Sequence, residues 1–225
     1  MCQQSIKIGA VVTLLLASTA CVNVSSYKTA RPVEQGETQI SVALEGTGTT
    51  GDNRGGVYVP HGRLNLRRGL SDSMDLGLTA GSFGTGVDLN FLLVGDDGFA
   101  LSASPYVGVA GATEFFGDGP QEDLMSATAY LGLFADIDLS PELTVTLGAK
   151  PGLYTMIAWT EEVSGDVERE RINAFLVGGS LAVKIDLNEY YYLMPELNVV
   201  WIEDSDGMEF VADDLNITFG IALGF

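Results

Sequence analysis

The sequence is short of basic residues, of histidine and of cysteine, and each shortage excludes a class of function. Lysine and arginine total 11 against 30 aspartates and glutamates, which gives a formal net charge of −19 at pH 7. Because so acidic a chain repels phosphates, nucleic-acid binding is excluded. The single histidine and two cysteines form no cluster with metal-ligand spacing. The sequence therefore predicts no metal and no cofactor.

Long apolar runs and enzyme motifs are also missing. Outside the amino terminus, no apolar run reaches the roughly 20 residues that a membrane-spanning helix needs. No serine lies in a nucleophile elbow, and no glycine-rich loop joins a strand to a helix. These absences favour a protein that is not an enzyme.

Residues 1–20 have the pattern of an export signal. Lys7 is their only charge, an apolar core covers residues 8–17, and Ser18 to Ala20 supplies small residues before a cut. The core is too short to span a bilayer as a helix. Its removal also removes Cys2, so the mature chain keeps one cysteine and forms no internal disulfide.

Cys21 follows the small residues directly and resembles the lipidated first residue of a mature bacterial lipoprotein. The resemblance implies lipidation at Cys21, although Ser18 stands where that family usually has leucine. Cleavage by an ordinary signal peptidase after Ala20 is the alternative. Residues 22–37 are polar, contain Pro32 and lack periodicity, so residues 21–37 are predicted to be a flexible periplasmic tether.

The strongest pattern lies in residues 214–225, where large apolar side chains alternate with small or polar ones. The large residues are Leu215, Ile217, Phe219, Ile221, Leu223 and Phe225. A period of two places alternate side chains on opposite faces of a strand. This end resembles the closing strand of bacterial outer-membrane β-barrels. The resemblance implies that Phe219, Ile221, Leu223 and Phe225 are an insertion signal for the barrel-assembly machinery of a Gram-negative cell.

Residues 38–225 contain ten stretches with strand periodicity, and the connections between them alternate between short and long. Short turns at one rim and long loops at the other, with an even strand count, are typical of outer-membrane barrels. The sequence therefore predicts an all-β protein: a ten-stranded antiparallel up-and-down transmembrane β-barrel, with eight or twelve strands as alternatives. Pro105, Pro151 and Pro195 lie inside strands, where bulges or distortion are expected.

Charge decides which face of this barrel points outwards. The apolar face carries only Arg68, next to a short turn, whereas a soluble barrel could not bury the charges of the other face unpaired. The apolar face is therefore predicted to contact lipid, and the inward charges are predicted to form a lumen network. Its members are Glu45, Arg63, Arg67, Asp75, Asp88, Lys150, Lys184 and Glu196.

Counting from the turns predicts pairs within this network. Arg67 is placed opposite Asp75, Arg63 and Asp88 share a level with Thr79, and a further row is expected to join Lys150, Ser180 and Glu196. An ion-pair network that fills the lumen is one interpretation, and a selectivity ring of a narrow porin-like channel for small solutes or ions is the other. Because the interior of a ten-stranded barrel is little wider than its side chains, the filled lumen is favoured.

Two further hypotheses concern the loop rim. His61 lies on the inward face near this rim, where a hydrolase resembling some ten-stranded outer-membrane proteases would need an acidic partner. The long loops are acidic, which predicts loose divalent-cation binding beside lipopolysaccharide phosphates. The acidic loop residues are Glu114, Asp118, Glu122, Asp123, Glu161, Glu162, Asp166, Glu168, Glu170, Glu203, Asp204, Asp206, Glu209 and Asp213. The favoured function is a non-enzymatic envelope protein with a structural or surface-interaction role.

Overall fold

The structure is a computed structural model that describes residues 25–50, 59–82, 84–114, 122–161, 167–204 and 215–225. Ten strands account for most of these residues. In chain order they are β1 (Thr38–Thr50), β2 (Val59–Ser71), β3 (Met74–Gly81), β4 (Gly84–Gly95), β5 (Phe99–Glu114), β6 (Glu122–Ser140), β7 (Leu143–Glu161), β8 (Val167–Asp186), β9 (Tyr192–Asp204) and β10 (Leu215–Gly224). In the described ranges, no helix is long and apolar enough to cross a membrane.

Each strand pairs with its neighbour in the chain, and β1 pairs with β10, so the sheet closes on itself. At the seam all pairing is antiparallel, with Val42 opposite Leu223 and Leu44 opposite Ile221. Closure leaves no sheet edge unpaired, as a strand structure in lipid requires. The predicted ten-stranded antiparallel up-and-down barrel is confirmed, and eight or twelve strands are excluded.

The short connections lie at one end of the barrel, which we call the turn rim, and the opposite end is the loop rim. Two residues join β2 to β3, and two join β6 to β7. Between β4 and β5, Asp96 Oδ1 accepts hydrogen bonds from the backbone N–H groups of Gly98 at 2.9 Å and Phe99 at 2.8 Å. Strand β1 begins and strand β10 ends at this turn rim, as predicted for an even number of strands.

The apolar side chains point out of the barrel. On β1, Val42 and Leu44 are 50% and 71% exposed, whereas Ala43 and Glu45, which alternate with them, are buried. Exposed Arg68 lies at the turn rim and donates from Nη1 to Thr38 Oγ1 at 2.6 Å. A cation at such a rim costs far less in a bilayer than the roughly 2–4 kcal/mol of a mid-plane position. The outward face is therefore an apolar band.

The three strand prolines interrupt pairing without shifting it. The β8–β9 pairs stop at Ala182–Glu196 and resume at Ile185–Leu193 in the same register, so the lapse spans Pro195. Similar lapses occur beside Pro105 and Pro151. A proline ring removes the N–H donor but adds no residue to the strand. The lapses are the distortion that was expected as one of two alternatives. The register shifts lie elsewhere, at turn-side positions of β2–β3, β4–β5 and β6–β7.

Residues 25–36 do not hang free below the barrel. The chain leaves the lumen at the turn rim, where Gly36 N–H donates to Gly69 O at 3.1 Å. Ser25, Tyr27, Lys28 and Ala30 are all at most 5% exposed. The prediction of a flexible tether is therefore wrong for residues 25–36, because hydrogen bonds to the barrel interior hold them. We call residues 25–34 the lumen segment.

Candidate functional site: the occupied lumen

Strand alternation sends one polar side chain after another into the lumen, and most of the charged ones form three buried clusters. In the first, Arg67 of β2 lies between two carboxylates. Its Nη2 contacts Asp75 Oδ1 of β3 and lies 3.0 Å from Asp88 Oδ2 of β4, while Nη1 donates to Asp88 Oδ1 at 3.2 Å. Because one guanidinium serves two carboxylates, this cluster has a surplus negative charge.

The second cluster is centred on Glu45 of β1. Its Oε2 lies 2.5 Å from His61 Nε2, and its Oε1 lies 3.1 Å from Arg63 Nε. All three side chains are buried, with at most 6% of their surface exposed. The attraction between an arginine and a carboxylate in direct contact offsets the free-energy cost of removing both charges from water. Both side chains can therefore stay inside the barrel.

The third cluster joins β7 to β9. Lys150 Nζ lies 3.5 Å from Glu196 Oε1 and donates to Asn198 Oδ1 at 2.7 Å. Asn198 Nδ2 also donates to Glu196 Oε1 at 2.7 Å. The eighth predicted network residue, Lys184, lies apart from these clusters at the turn rim and pairs with Asp186 at 2.8 Å.

The structure thus brings seven of the eight predicted residues into buried ion pairs. The strand registers predicted by counting residues from the turns, however, were wrong by two residues. Arg67 lies opposite Gly77, and Arg63 lies opposite Gly81 rather than Thr79. Asp88 also lies opposite Gly77. The long arginine side chain spans the offset, so Arg67 still reaches Asp75.

The expected row of Lys150, Ser180 and Glu196 is also displaced. Lys150 lies opposite Gly178, and Ser180 lies opposite Asn198. Lys150 nevertheless reaches Glu196, because its four-carbon stem bridges the offset.

The lumen segment supplies backbone donors to these carboxylates. Glu196 accepts hydrogen bonds from the N–H groups of Ser26 at 3.0 Å and Tyr27 at 2.6 Å. Nearer the turn rim, Asp136 of β6 accepts from Arg31 N–H at 3.1 Å, and Asp75 accepts from Val33 N–H at 3.0 Å. A carboxylate bonded to a backbone N–H is a strong, charge-assisted contact.

Two cationic side chains of the same segment complete the pairing. Lys28 Nζ lies 2.9 Å from Asp88 Oδ2, contacts Ser104 Oγ and stands 4.5 Å from the centre of the Phe134 ring. Arg31 Nη2 lies 2.8 Å from Asp138 Oδ2 and also donates to Asp96 O at 2.8 Å. The segment therefore neutralises the surplus negative charge of the barrel wall.

Sequence reasoning missed this occupant and two wall residues that receive it, Asp136 and Phe134. The segment has no periodicity, so strand patterns could not reveal it. The available signal was the charge count. Among the described residues, the barrel wall buries five carboxylates and three lysines or arginines. A surplus of two buried negative charges requires a partner from elsewhere in the chain, and Lys28 and Arg31 were available.

Part of the lumen is apolar, which the charge argument also missed. Tyr130, Tyr154, Leu176, Val200 and Ile202 form a buried cluster on β6 to β9 towards the loop rim. Tyr106 stacks on Tyr130 with ring centroids 4.6 Å apart. The interior at this level is therefore packed by side chains as well as by ion pairs.

His61 has the acidic partner that the hydrolase hypothesis required, in the form of Glu45. Both side chains are buried, and Arg63 binds the same carboxylate. The cavity next to His61, lined also by Tyr106, has a volume of about 40 Å³. This is room for about one water molecule and not for a peptide or glycan substrate.

The remaining predicted residues divide into two groups. Phe219, Ile221, Leu223 and Phe225 lie on the outward face and are each 40% exposed or more. The export signal, Cys21 and the side chains of the acidic loop residues lie outside the described residues, so those hypotheses stay predictions. Among the described residues, no group of three histidine, cysteine, aspartate or glutamate side chains could hold a metal ion.

The closed antiparallel sheet, its apolar outer band and its charged, segment-filled lumen define a β-barrel of the outer-membrane type. The outer membrane protease OmpT from Escherichia coli has a similar structure, with a TM-score of 0.51, 9% identity, and coverage of 84% of this chain and 95% of that one. The attachment invasion locus protein Ail of Yersinia pestis gives a TM-score of 0.44 and 10% identity, with coverage of 84% and 97%. The translocator domain of NalP from Neisseria meningitidis gives 0.48 and 10%, with coverage of 98% and 95%.

At such identities the similarity to OmpT shows the fold alone. Comparison of the sequence with protein-family models finds no match, and comparison with curated proteins finds none either. Function must therefore be argued from the lumen itself.

Proposed function

We propose that the protein is a non-enzymatic outer-membrane barrel whose lumen is closed by its own lumen segment, and that it acts in the envelope through its structure and its acidic external loops. The observation that carries the proposal is the set of bonds between Glu196 and the N–H groups of Ser26 and Tyr27. These bonds hold main chain across the interior, where a channel would need water.

The apolar outer band supports residence in the outer membrane, where lipid and lipopolysaccharide would surround it. In that membrane the turn rim faces the periplasm and the loop rim faces outwards. The outward row ending at Phe225 supports recognition by the barrel-assembly machinery. Tyr191 and Phe225, with ring centroids 6.4 Å apart at the turn rim, fit an interfacial aromatic belt.

Conductance tests the closed lumen directly. Full-length protein reconstituted into a planar bilayer is expected to be silent in molar potassium chloride. Discrete channel openings in the unaltered protein would contradict the proposal. A porin of known conductance, reconstituted in the same bilayers, controls for insertion.

A narrow porin-like channel for small solutes or ions is the second candidate. A cavity of about 310 Å³ between the lumen segment and the wall at the turn rim favours it, because this part of the lumen is not filled by side chains. NanC, a solved structure with 8% identity and a TM-score of 0.42, is described as a porin. That similarity is too weak to carry an argument, so the conductance experiment decides between the candidates.

The hydrolase alternative has one supporting contact, between His61 and Glu45. We propose that this contact is structural, because both groups are buried and the adjoining cavity is too small for a substrate. Incubating the full-length protein with a mixed peptide library tests this. Cleavage that disappears in His61→Ala would show that the protein is an enzyme.

A further inference from the structure

The turn-rim half of the lumen carries several fixed acceptors for main-chain N–H groups. Three of its carboxylates are each fixed by a donor from the wall. Arg67 holds Asp75, Thr146 Oγ1 donates to Asp136 at 2.7 Å, and Asn198 with Lys150 holds Glu196. Each of these carboxylates also accepts a backbone N–H from the lumen segment. Fixed acceptors of this kind do not have to be reorganised when a peptide binds.

The four N–H groups involved belong to Ser26, Tyr27, Arg31 and Val33. Backbone N–H donors are the same in every residue except proline. In addition, Asn90 Nδ2 donates to the carbonyl oxygen of Ala30 at 3.2 Å. These contacts therefore bind main chain without regard to its side chains.

Two side-chain positions add selectivity. The first receives Lys28 between Asp88, Ser104 and the Phe134 ring. The second receives Arg31, three residues later, next to Asp138. Because the buried part of the wall described here carries two more negative than positive side chains, cationic groups are favoured at both positions.

We propose that this half of the lumen is a peptide-binding site for a chain with two cationic side chains three residues apart, presented from the periplasm. The lumen segment is its intramolecular occupant. The site takes a second peptide of this chemistry when that segment is displaced. This inference rests on the proposed closure of the lumen, and it adds that the closing contact is reversible and selective.

The test starts from the full-length chain, with a protease recognition sequence inserted between Gly36 and Glu37. Residues 34–37 are exposed, so the inserted site is accessible after folding. The folded protein is cut in detergent, and a fluorescent peptide with the sequence of residues 25–35 is added. Exchange of the cut piece for the labelled peptide is followed by fluorescence anisotropy. Before cutting, the high effective concentration of the attached segment is expected to prevent exchange.

The cut protein is expected to bind the labelled peptide saturably. A peptide with the equivalents of K28A and R31A is expected to bind on the order of tenfold more weakly or worse. Asp88→Asn in the barrel is expected to reduce binding similarly. Asp186→Asn, which alters an ion pair at the exposed rim, is the matched control and is expected to leave binding unchanged.

Two results would overturn the inference: no rebinding of the labelled peptide to the cut barrel, or equal binding of the wild-type and doubly substituted peptides. Circular dichroism of the cut barrel checks that it stays folded. A different result would overturn the proposed closure, namely channel openings in the uncut protein. The two proposals therefore fail in distinguishable ways.

Discussion

Lys28 and Asp88 form a buried ion pair inside the barrel, with Lys28 Nζ 2.9 Å from Asp88 Oδ2 although 60 residues separate them in the chain. Their side chains are 3% and 8% exposed. The pair joins the lumen segment to β4. It therefore fixes where the segment lies and contributes to the stability of the whole barrel.

Lys28→Ala is expected to destabilise the protein by about 3 kcal/mol, the low end of the range for breaking a buried pair, because Asp88 keeps Arg67. Urea unfolding in detergent, followed by circular dichroism, measures the change. Adding Asp88→Asn to Lys28→Ala is expected to cost less than the sum of the single effects, since no buried charge is then left over.

Lys184→Ala provides the control for this experiment. The Lys184–Asp186 pair is 24% and 33% exposed, so its loss is expected to change the free energy of unfolding by less than about 1 kcal/mol. Equal effects of Lys28→Ala and Lys184→Ala would mean that Lys28 does not lie in the lumen.

Because Gly220 of β10 has no side chain, the Tyr27 side chain fits next to it. A Cβ at this position would overlap the Tyr27 hydroxyl and lie 2.8 Å from Leu44 O and 2.9 Å from Glu45 Cγ. Gly220→Ala is therefore expected to push Tyr27 aside and to lower the unfolding midpoint. Tyr27→Phe removes the overlapping hydroxyl, so the double variant is expected to recover part of the loss.

Gly62→Ala is the matched control, because the nearest atom to its Cβ would be 4.0 Å away. If Gly220→Ala and Gly62→Ala have the same midpoint, or if Tyr27→Phe gives no recovery, Tyr27 does not occupy this space.

Asp96 provides a pH-dependent prediction at the turn rim. Hydrogen bonds from the backbone N–H of Gly98 and then of Phe99 lower the pKa of the Asp96 carboxyl below its usual value, and the nearby charge of Arg31 lowers it further. A depressed pKa stabilises the folded form above the unfolded pKa of about 4. That contribution is lost as the pH falls through the lower, folded pKa.

A carbon-13 NMR titration of the Asp96 carboxyl measures this shift. Its midpoint is expected below that of an aspartate in a peptide, and Arg31→Ala is expected to raise it only slightly, since the N–H groups remain. A midpoint at or above the peptide value would contradict the turn geometry.

Lipidation of Cys21 is linked to the position of Ser25. Asn198, which donates to Ser25 Oγ at 3.1 Å, is six residues from the start of β9. At about 3.3 Å per residue and the usual strand tilt, that is roughly 15 Å inside the turn rim. Four residues span at most about 14 Å. A lipid on Cys21 in the periplasmic leaflet and an occupied lumen are therefore expected to exclude each other.

Intact mass spectrometry of protein purified from membranes tests this exclusion. Acylated protein whose Ser26 and Tyr27 amides are still protected from hydrogen exchange would contradict it.

The sequence predicts the barrel well because a strand in lipid must alternate. Leu215 to Phe225 shows this alternation completely, and β10 closes the barrel as expected. The registers between strands were harder to predict, since counting residues outwards from a β2–β3 turn that begins at Gly69 assumed a symmetrical turn. The β2–β3 turn consists of Asp72 and Ser73 alone, so its centre lies further along the chain than the count assumed, and Arg67 pairs with Gly77 instead of Asp75.

The lumen segment could not be predicted by pattern, because its contacts use backbone N–H groups that every sequence has. The side chains of Lys28 and Arg31 are exceptions. A lone lysine in a polar stretch has the composition of a tether, and only the surplus of inward carboxylates, Asp88 among them, indicates that it is needed inside.

Amide hydrogen exchange of the full-length protein in detergent micelles tests most directly whether the lumen segment closes the barrel. The N–H groups of Ser26, Tyr27, Arg31 and Val33 are expected to exchange as slowly as those of the adjoining strands, because each is bonded to a buried or half-buried carboxylate. Exchange of these four amides at the rate of an unstructured peptide would contradict the account.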